Sequence, residues 1–250
     1  MIEIENLSFN RGKNPVLKDI MLRIPKGGVT GLIGPNGAGK STLLSLIARL
    51  EPLQTGSIFV EDLEIGRCAD DILARKLAIL PQTTETAPRL SVAELVAFGR
   101  YPYHKGHPTE LDRAKIAEAI ATFELQDLAH RPLDSLSGGQ RQRASVAMTF
   151  AQDTDYILLD EPLNNLDIAA SRALMSLLRR LSKEHGRTIV IVLHDINYAA
   201  SYADQIVTMK DGRITAMGPP AEIVTEEMLR SVFATDATVH RIGNRPVVEV

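Results

Sequence analysis

The stretch GPNGAGKST at residues 34–42 constrains this chain more than any other segment of it. Gly34, Gly39, Lys40 and Ser41 fall on the phosphate-binding pattern G-x4-G-K-S, with Gly37 between them. The run VTGLIG (29–34) before it is continuously apolar, as a strand buried in a parallel sheet is. The run STLLSLIARL after it carries apolar residues at helical spacing, so a helix is expected from about Lys40. A glycine-rich turn between such a strand and helix lets backbone N–H groups converge on a phosphate. Pro35, Asn36, Ala38 and Thr42 complete that cradle. Lys40 is placed to neutralise β- and γ-phosphate oxygens, and the Ser41 hydroxyl to ligate Mg²⁺.

The rest of the chain carries the rhythm of an α/β fold. IEIENLSF (2–9) and VLKDIMLRI (16–24) alternate apolar and polar residues and predict an antiparallel β element. GSIFVEDLEI (56–65) reads as a strand, and LAILPQ (77–82) as a short buried one. From about Pro88 to Arg131 the pattern turns helical. Ser91 with Glu94, and Thr109 with Asp112, sit at capping-box spacing. The second of these helices is expected to align Leu111, Ala114, Ala117, Ile120 and Phe123 on one face, and YPYHKGHP between the two reads as a loop. Strand and helix then alternate again: YILLD (156–160), a helix ended by Gly186, and TIVIVLHD. QIVTMKDGRITAMG (205–218) reads as a hairpin turning at Asp211-Gly212. The tail predicts a helix, EEMLRSVF, and a last extended piece, PVVEV. The expectation is one domain over 1–250, with an α/β core at 1–87 and 150–250 and a helical subdomain at about 88–149.

Two further motifs carry chemistry. The strand YILLD ends in Asp160 and Glu161, and adjacent acids at a buried strand end call for a positive partner. Asp160 then holds Mg²⁺, and Glu161 accepts the proton of an attacking water. Taken alone, the pair reads equally well as a solvated strand-to-loop junction. LSGGQ (136–140) opens a helix: Ser137 is its N-cap, Gln140 completes a capping box, and the Gly138 and Gly139 N–H groups permit close approach of a phosphate. A plain helix cap is the alternative, but it leaves two consecutive glycines unexplained when each costs about 1 kcal/mol inside a helix.

GPNGAGKST, Gln82 after LAILP, LSGGQ, YILLDEP, Leu166-Asp167 and His194 after TIVIVL stand in the order and spacing of the ATP-binding-cassette ATPases, which the chain resembles over nearly its whole length. The resemblance implies a P-loop NTPase core, ATP as nucleotide, and two cassettes packed head to tail. The signature Ser137–Gln140 of one copy then covers ATP held by the P-loop of the other. It further implies that Gln82 contacts Mg²⁺ and the attacking water, that His194 bonds the γ-phosphate and orients the nucleophile, and that Asp167 touches the facing P-loop. Related cassettes place an aromatic side chain against adenine just before the first turn. Arg11 holds that position here, with Phe9 nearby; a guanidinium plane can stack on a base, so a weaker preference for ATP over GTP than is typical is the expectation.

A single cassette argues against the fused exporters and the two-cassette translation factors, and the lack of a long coiled coil argues against the DNA-repair class. AFGRYPYHKG, EPLNNLD and GPPAEIVTEEMLRSVF resemble the ATPase subunits of bacterial ferric-siderophore and vitamin B12 importers, the siderophore side more closely. That resemblance implies a homodimer bound to two permease subunits at the cytoplasmic face of the inner membrane, served indirectly by an extracytoplasmic substrate-binding protein. Importers of vitamin B12 or haem, and a soluble ATPase without a transport role, are the alternatives. Composition agrees. A net charge of −3 from 28 basic and 31 acidic residues shows no bias toward nucleic acid. One cysteine, Cys68, excludes an internal disulfide. The start MIEIENLSFN lacks a basic-then-apolar leader, and the apolar runs fall short of the roughly 18 residues of a membrane span.

Overall fold

The computed structural model describes residues 1–82 and 90–249. The chain opens with strands β1 (Ile2–Arg11) and β2 (Asn14–Ile24), then β3 (Gly28–Ile33), the glycine-rich loop and helix α1 (Lys40–Ile47). Strands β4 (Thr55–Val60) and β5 (Leu63–Glu64), helix α2 (Asp70–Ala74) and strand β6 (Leu77–Leu80) follow. A helical stretch comes next: α3 (Val92–Phe98), α4 (Tyr101–His104), α5 (Glu110–Thr122) and α6 (Gly138–Ala151). Then β7 (Tyr156–Asp160), α7 (Ile168–His185), β8 (Thr188–Val192) and α8 (Ile196–Tyr202) alternate. The chain closes with β9 (Gln205–Lys210), β10 (Arg213–Gly218), α9 (Pro220–Ile223), α10 (Glu226–Phe233), β11 (Thr238–Ile242) and β12 (Arg245–Glu249).

Among the described residues the main sheet runs β10-β9-β3-β8-β7-β6, with only the β9–β10 pair antiparallel. Both of its faces are buried, as a parallel sheet requires. Period-2 alternation sorts its residues between two cores. Ile157, Leu159, Ile189 and Ile191 face the helical side, whereas Tyr156, Leu158, Val190 and Val192 face α1 and the antiparallel sheet β2-β1-β4-β5. The helices α3, α5 and α6 share the first of these cores through Leu95, Val96, Ala119, Phe123, Ala144 and Ala147.

Caps and turns follow the sequence closely. All three expected capping boxes form, Ser91 with Glu94, Thr109 with Asp112 and Ser137 with Gln140, and Gly186 ends α7 in the left-handed conformation. The β9–β10 turn has positive φ at Asp211 (49°) and Gly212 (79°), the geometry that matches strand twist. A buried ion pair also ties the helical stretch together. Arg100 Nε donates to Asp112 Oδ1 at 3.0 Å and Nη1 to the Ala151 carbonyl at 3.2 Å.

Four expectations need correction. The run 56–65 is two strands, because Glu61 takes a positive φ of 56° and turns the chain between β4 and β5. Tyr101–His104 is a helical turn rather than loop: Pro102 supplies a helix-ready φ in its first turn, and Lys105 and Gly106 end it with positive φ. The buried side of α5 is Asp112, Ile116, Ala119 and Phe123, while Leu111, Ala114 and Ala117 face solvent. Steps of three alone wind around a helix, whereas alternating steps of four and three stay on one side. The tail holds two strands, because the exposed run at β11 pairs with β12. The expected boundary between residues 87 and 88 lies outside the described residues. No described helix is long and apolar enough to cross a membrane.

Candidate active site

The parallel strands β3, β6, β7 and β8 all end on the same side, and each is followed there by residues the sequence singled out. The glycine-rich loop follows β3, Gln82 follows β6, Asp160 ends β7 with Glu161 next in line, and His194 follows β8. Gln82, Glu161 and His194 line an open pocket of about 460 Å³ together with Arg11, Val16, Asn36, Gly37, Gly39, Lys40, Ser41 and Thr42, and Asp160 stands behind Ser41.

The loop is shaped by glycines in backbone conformations that residues with a side chain rarely adopt. Gly34 has φ 154°, and a Cβ there would lie 2.1 Å from the Met209 carbonyl oxygen; at Gly39, φ 100°, it would lie 2.6 Å from Leu17. The Gly212 N–H also donates to the Ala38 carbonyl at 3.2 Å, so the β9–β10 turn braces the loop from outside. Lys40 is 5% exposed, and its ammonium donates to the carbonyls of Gly34 (2.8 Å) and Pro35 (3.0 Å). Burial lowers its pKa, against the raising influence of Glu161 and Asp160.

The acid pair splits in character. Asp160 is 5% exposed and accepts the Ser41 hydroxyl at 2.9 Å. Burial pushes its pKa up, and the charge of Glu161 adds to this, against the Ser41 bond and the charges of Lys40 and His194. Glu161 has a positive φ of 52°, unusual for a residue with a side chain. Its Oε2 accepts Gln82 Nε2 and Asn164 Nδ2, each at 2.7 Å, and its Oε1 lies 2.6 Å from His194 Nε2. Burial opposes its charge, but the bonds from Asn164, His194 and Gln82 outweigh it and bring the carboxyl below its usual range.

Other expected residues lie elsewhere. None of Ser137, Gly138, Gly139, Gln140 or Asp167 lines this pocket. Ser137 caps α6 by accepting the Gln140 N–H at 3.2 Å, and Gln140 Oε1 accepts the Ser137 N–H at 3.0 Å, which completes the capping box. That leaves the Ser137 hydroxyl hydrogen available to another molecule. A Cβ at Gly138 would make only ordinary contacts, no closer than 3.6 Å, so the packing of this chain does not by itself demand glycine there. Asp167 caps α7, accepting the Ala170 N–H at 2.7 Å. Arg11 lines the pocket and pairs with Glu51 at 3.6 Å, but Phe9 is in the hydrophobic core and offers no surface to a base. Asn164 and Glu51 were not foreseen. No composition or spacing rule marks either; only the three-residue turn from Glu161 to Asn164 hints at the first.

A hydroxyl and one carboxylate at the phosphate loop are hard oxygen donors, and a divalent cation there offsets the strain on the buried Asp160 charge; the residues fit Mg²⁺. Residues 17–164 match the family model described as ABC transporter. The petrobactin import ATP-binding protein YclP of Bacillus subtilis (strain 168) is 47% identical over 247 residues, covering 99% of this chain and 98% of that protein. A chain of an inward-facing ABC transporter of metal-chelate type superposes with a TM-score of 0.84 at 26% identity, covering 99% and 95% of the two chains. A dimeric ATP-binding cassette in a post-hydrolysis state with ADP and Pi gives 0.78 at 30% identity, covering 88% and 99%.

Proposed function

The chain belongs to the ABC transporter family as its ATPase component, and from that premise we propose that it drives import of a ferric siderophore through a membrane permease. The observation that carries the reading is the division of motifs: the P-loop, Glu161, Gln82 and His194 share one pocket, Asp160 is bonded to its Ser41, and Ser137–Gln140 stand outside it. One copy therefore presents half of two sites. Two copies set head to tail each supply the Ser137 hydroxyl and the Gly138 and Gly139 N–H groups to the triphosphate held by the other.

In the working cycle Lys40 leaves the Gly34 and Pro35 carbonyls for the β- and γ-phosphates. Ser41, Asp160 and Gln82 would hold Mg²⁺, which neutralises charge on the phosphate oxygens. His194 moves from Glu161 to the γ-phosphate and orients the water, and Glu161 takes the proton. Arg11 lies flat on the base. Asp167 touches the opposite P-loop and links the two sites. Closure of the pair moves the helices α3 to α6 and, through them, two permease subunits at the cytoplasmic face of the membrane, supplied by an extracytoplasmic binding protein.

The cargo class rests on the siderophore-import relatives, among them the petrobactin protein at 47% identity. Reconstitution with its permease in vesicles tests it directly. ATP-dependent uptake of a ferric siderophore is the expected result. Uptake of vitamin B12 or haem instead overturns the cargo, and failure to co-purify with any integral membrane permease overturns transport itself.

A further inference from the structure

Three donors meet on the Glu161 carboxylate, and they differ in where they stand. Gln82 and His194 line the 460 Å³ nucleotide pocket beside Lys40 and Ser41. Asn164 does not. It lines a separate cavity of about 250 Å³, with Leu163, Leu166 and Ile168, on the other side of Glu161. Glu161 and His194 border both cavities and so form the wall between them. Among the described residues the Asn164 side chain has one hydrogen-bond partner, Oε2 of Glu161 at 2.7 Å. The turn is fixed beneath it, since the Asn164 N–H donates to the Glu161 carbonyl at 3.2 Å.

A nucleotide entering the pocket competes for Gln82 and His194, because both face the phosphates. Asn164 is not among the residues that line that pocket. Gln82 leaves Oε2 and His194 leaves Oε1, and Oε2 keeps the amide of Asn164. We propose that Asn164 is the positioning residue for the general base: it holds Oε2 from behind, so that Oε1 faces the nucleotide pocket as the oxygen that accepts the proton of water. This rests on the reading of Glu161 as the base. The positive φ of Glu161 raises the need for such a hold, since a residue in a sparsely populated conformation keeps its aim only if its surroundings determine it. The proton passes from water to Oε1, the hydroxide oxygen bonds to the γ-phosphorus, and the bond from that phosphorus to the β–γ bridging oxygen breaks, leaving ADP.

The test uses the full chain with Asn164→Ala, Asn164→Asp and Glu161→Gln. Asn164 is exposed, and Asn164→Asp keeps its size and its backbone bond while removing the donor. Turnover is measured against Mg-ATP concentration, and binding with a fluorescent ATP analogue. A misaimed base lowers kcat by roughly ten- to hundredfold in both Asn164 variants, with KM and analogue affinity held within about twofold. Asn164→Asp added to Glu161→Gln leaves the residual rate unchanged. Wild-type kcat in the Asn164 variants beside an inactive Glu161→Gln overturns this inference alone. So does activity retained by Asn164→Asp but lost in Asn164→Ala, which assigns shape rather than donation, and so does an equal loss of kcat and affinity. Near-normal turnover in Glu161→Gln overturns the functional reading and the inference with it.

Discussion

Replacing Glu161 by Gln separates binding from chemistry, and the structure sets the size of both effects. The carboxylate accepts three N–H groups, two on Oε2 and one on Oε1, whereas an amide offers a single oxygen and adds donors of its own. One of the three donors must lose its partner, which favours release of Gln82 and His194 toward nucleotide. Removing a negative charge roughly 4 Å from the γ-phosphate contributes about 1–4 kcal/mol between the limits of water and a protein-like dielectric of 20. The pocket is open, so the lower half of that range applies, and ATP binds about tenfold tighter. The lost proton acceptor costs about 10²- to 10⁴-fold in rate, or about 3–5 kcal/mol of barrier. The variant therefore binds Mg-ATP, closes with a second copy and stays closed. Phosphate release at saturating Mg-ATP measures the rate, and light scattering measures the mass with and without nucleotide. A fall in kcat of less than about tenfold, or a monomeric mass with bound ATP, refutes the reasoning.

Ser137→Arg is expected to abolish ATPase activity while the isolated chain still binds nucleotide, because Ser137 lies outside the P-loop pocket; isothermal titration beside a phosphate-release assay checks this, and a parallel loss of binding contradicts it. Arg11 lines the pocket and brings a planar guanidinium to it, so GTP should compete with ATP within about tenfold, and Arg11→Ala should weaken both by a similar factor in competition titrations. Acid should destabilise the chain through its depressed carboxyls, Glu61 and Asp112 foremost. Glu61 sits at about 2 through bonds from Lys26 and Lys76, and Asp112 at about 2, where burial is outweighed by the bonds from Thr109 and Arg100. Folded values below the unfolded 4.5 and 3.8 mean stability is fully present above those values and is lost as pH falls toward 2. Urea midpoints should decline across that window, and Glu61→Gln with Asp112→Asn should flatten the decline.

The residues that share the pocket were readable wherever the proposed function and local structure ask for the same residue types. GPNGAGKST is both a strand–turn–helix and a phosphate cradle, so its glycines mark it twice, and the positive φ at Gly34, Gly37 and Gly39 follows. The capping boxes at Ser91, Thr109 and Ser137 were equally plain, since each cap depends on two residues three apart. What escaped depends on partners distant in sequence or on a backbone choice without a glycine. Glu61 turns the chain with a positive φ that no sequence rule assigns to glutamate. Phe9 looked free for a base, but its strand register against Leu17 sends it into the core. Asn164 resembles any turn asparagine until Glu161 is seen to bend back toward it.

The account stands or falls on where a bound triphosphate finds its second set of donors. A crystal structure of the Glu161→Gln chain grown with Mg-ATP measures this directly. The predicted result is two copies related by a twofold axis, each γ-phosphate within hydrogen-bonding distance of Lys40 on one copy and of the Ser137 hydroxyl and Gly139 N–H on the other. A single copy that surrounds the nucleotide with its own residues, its Ser137 exposed to solvent, would contradict it.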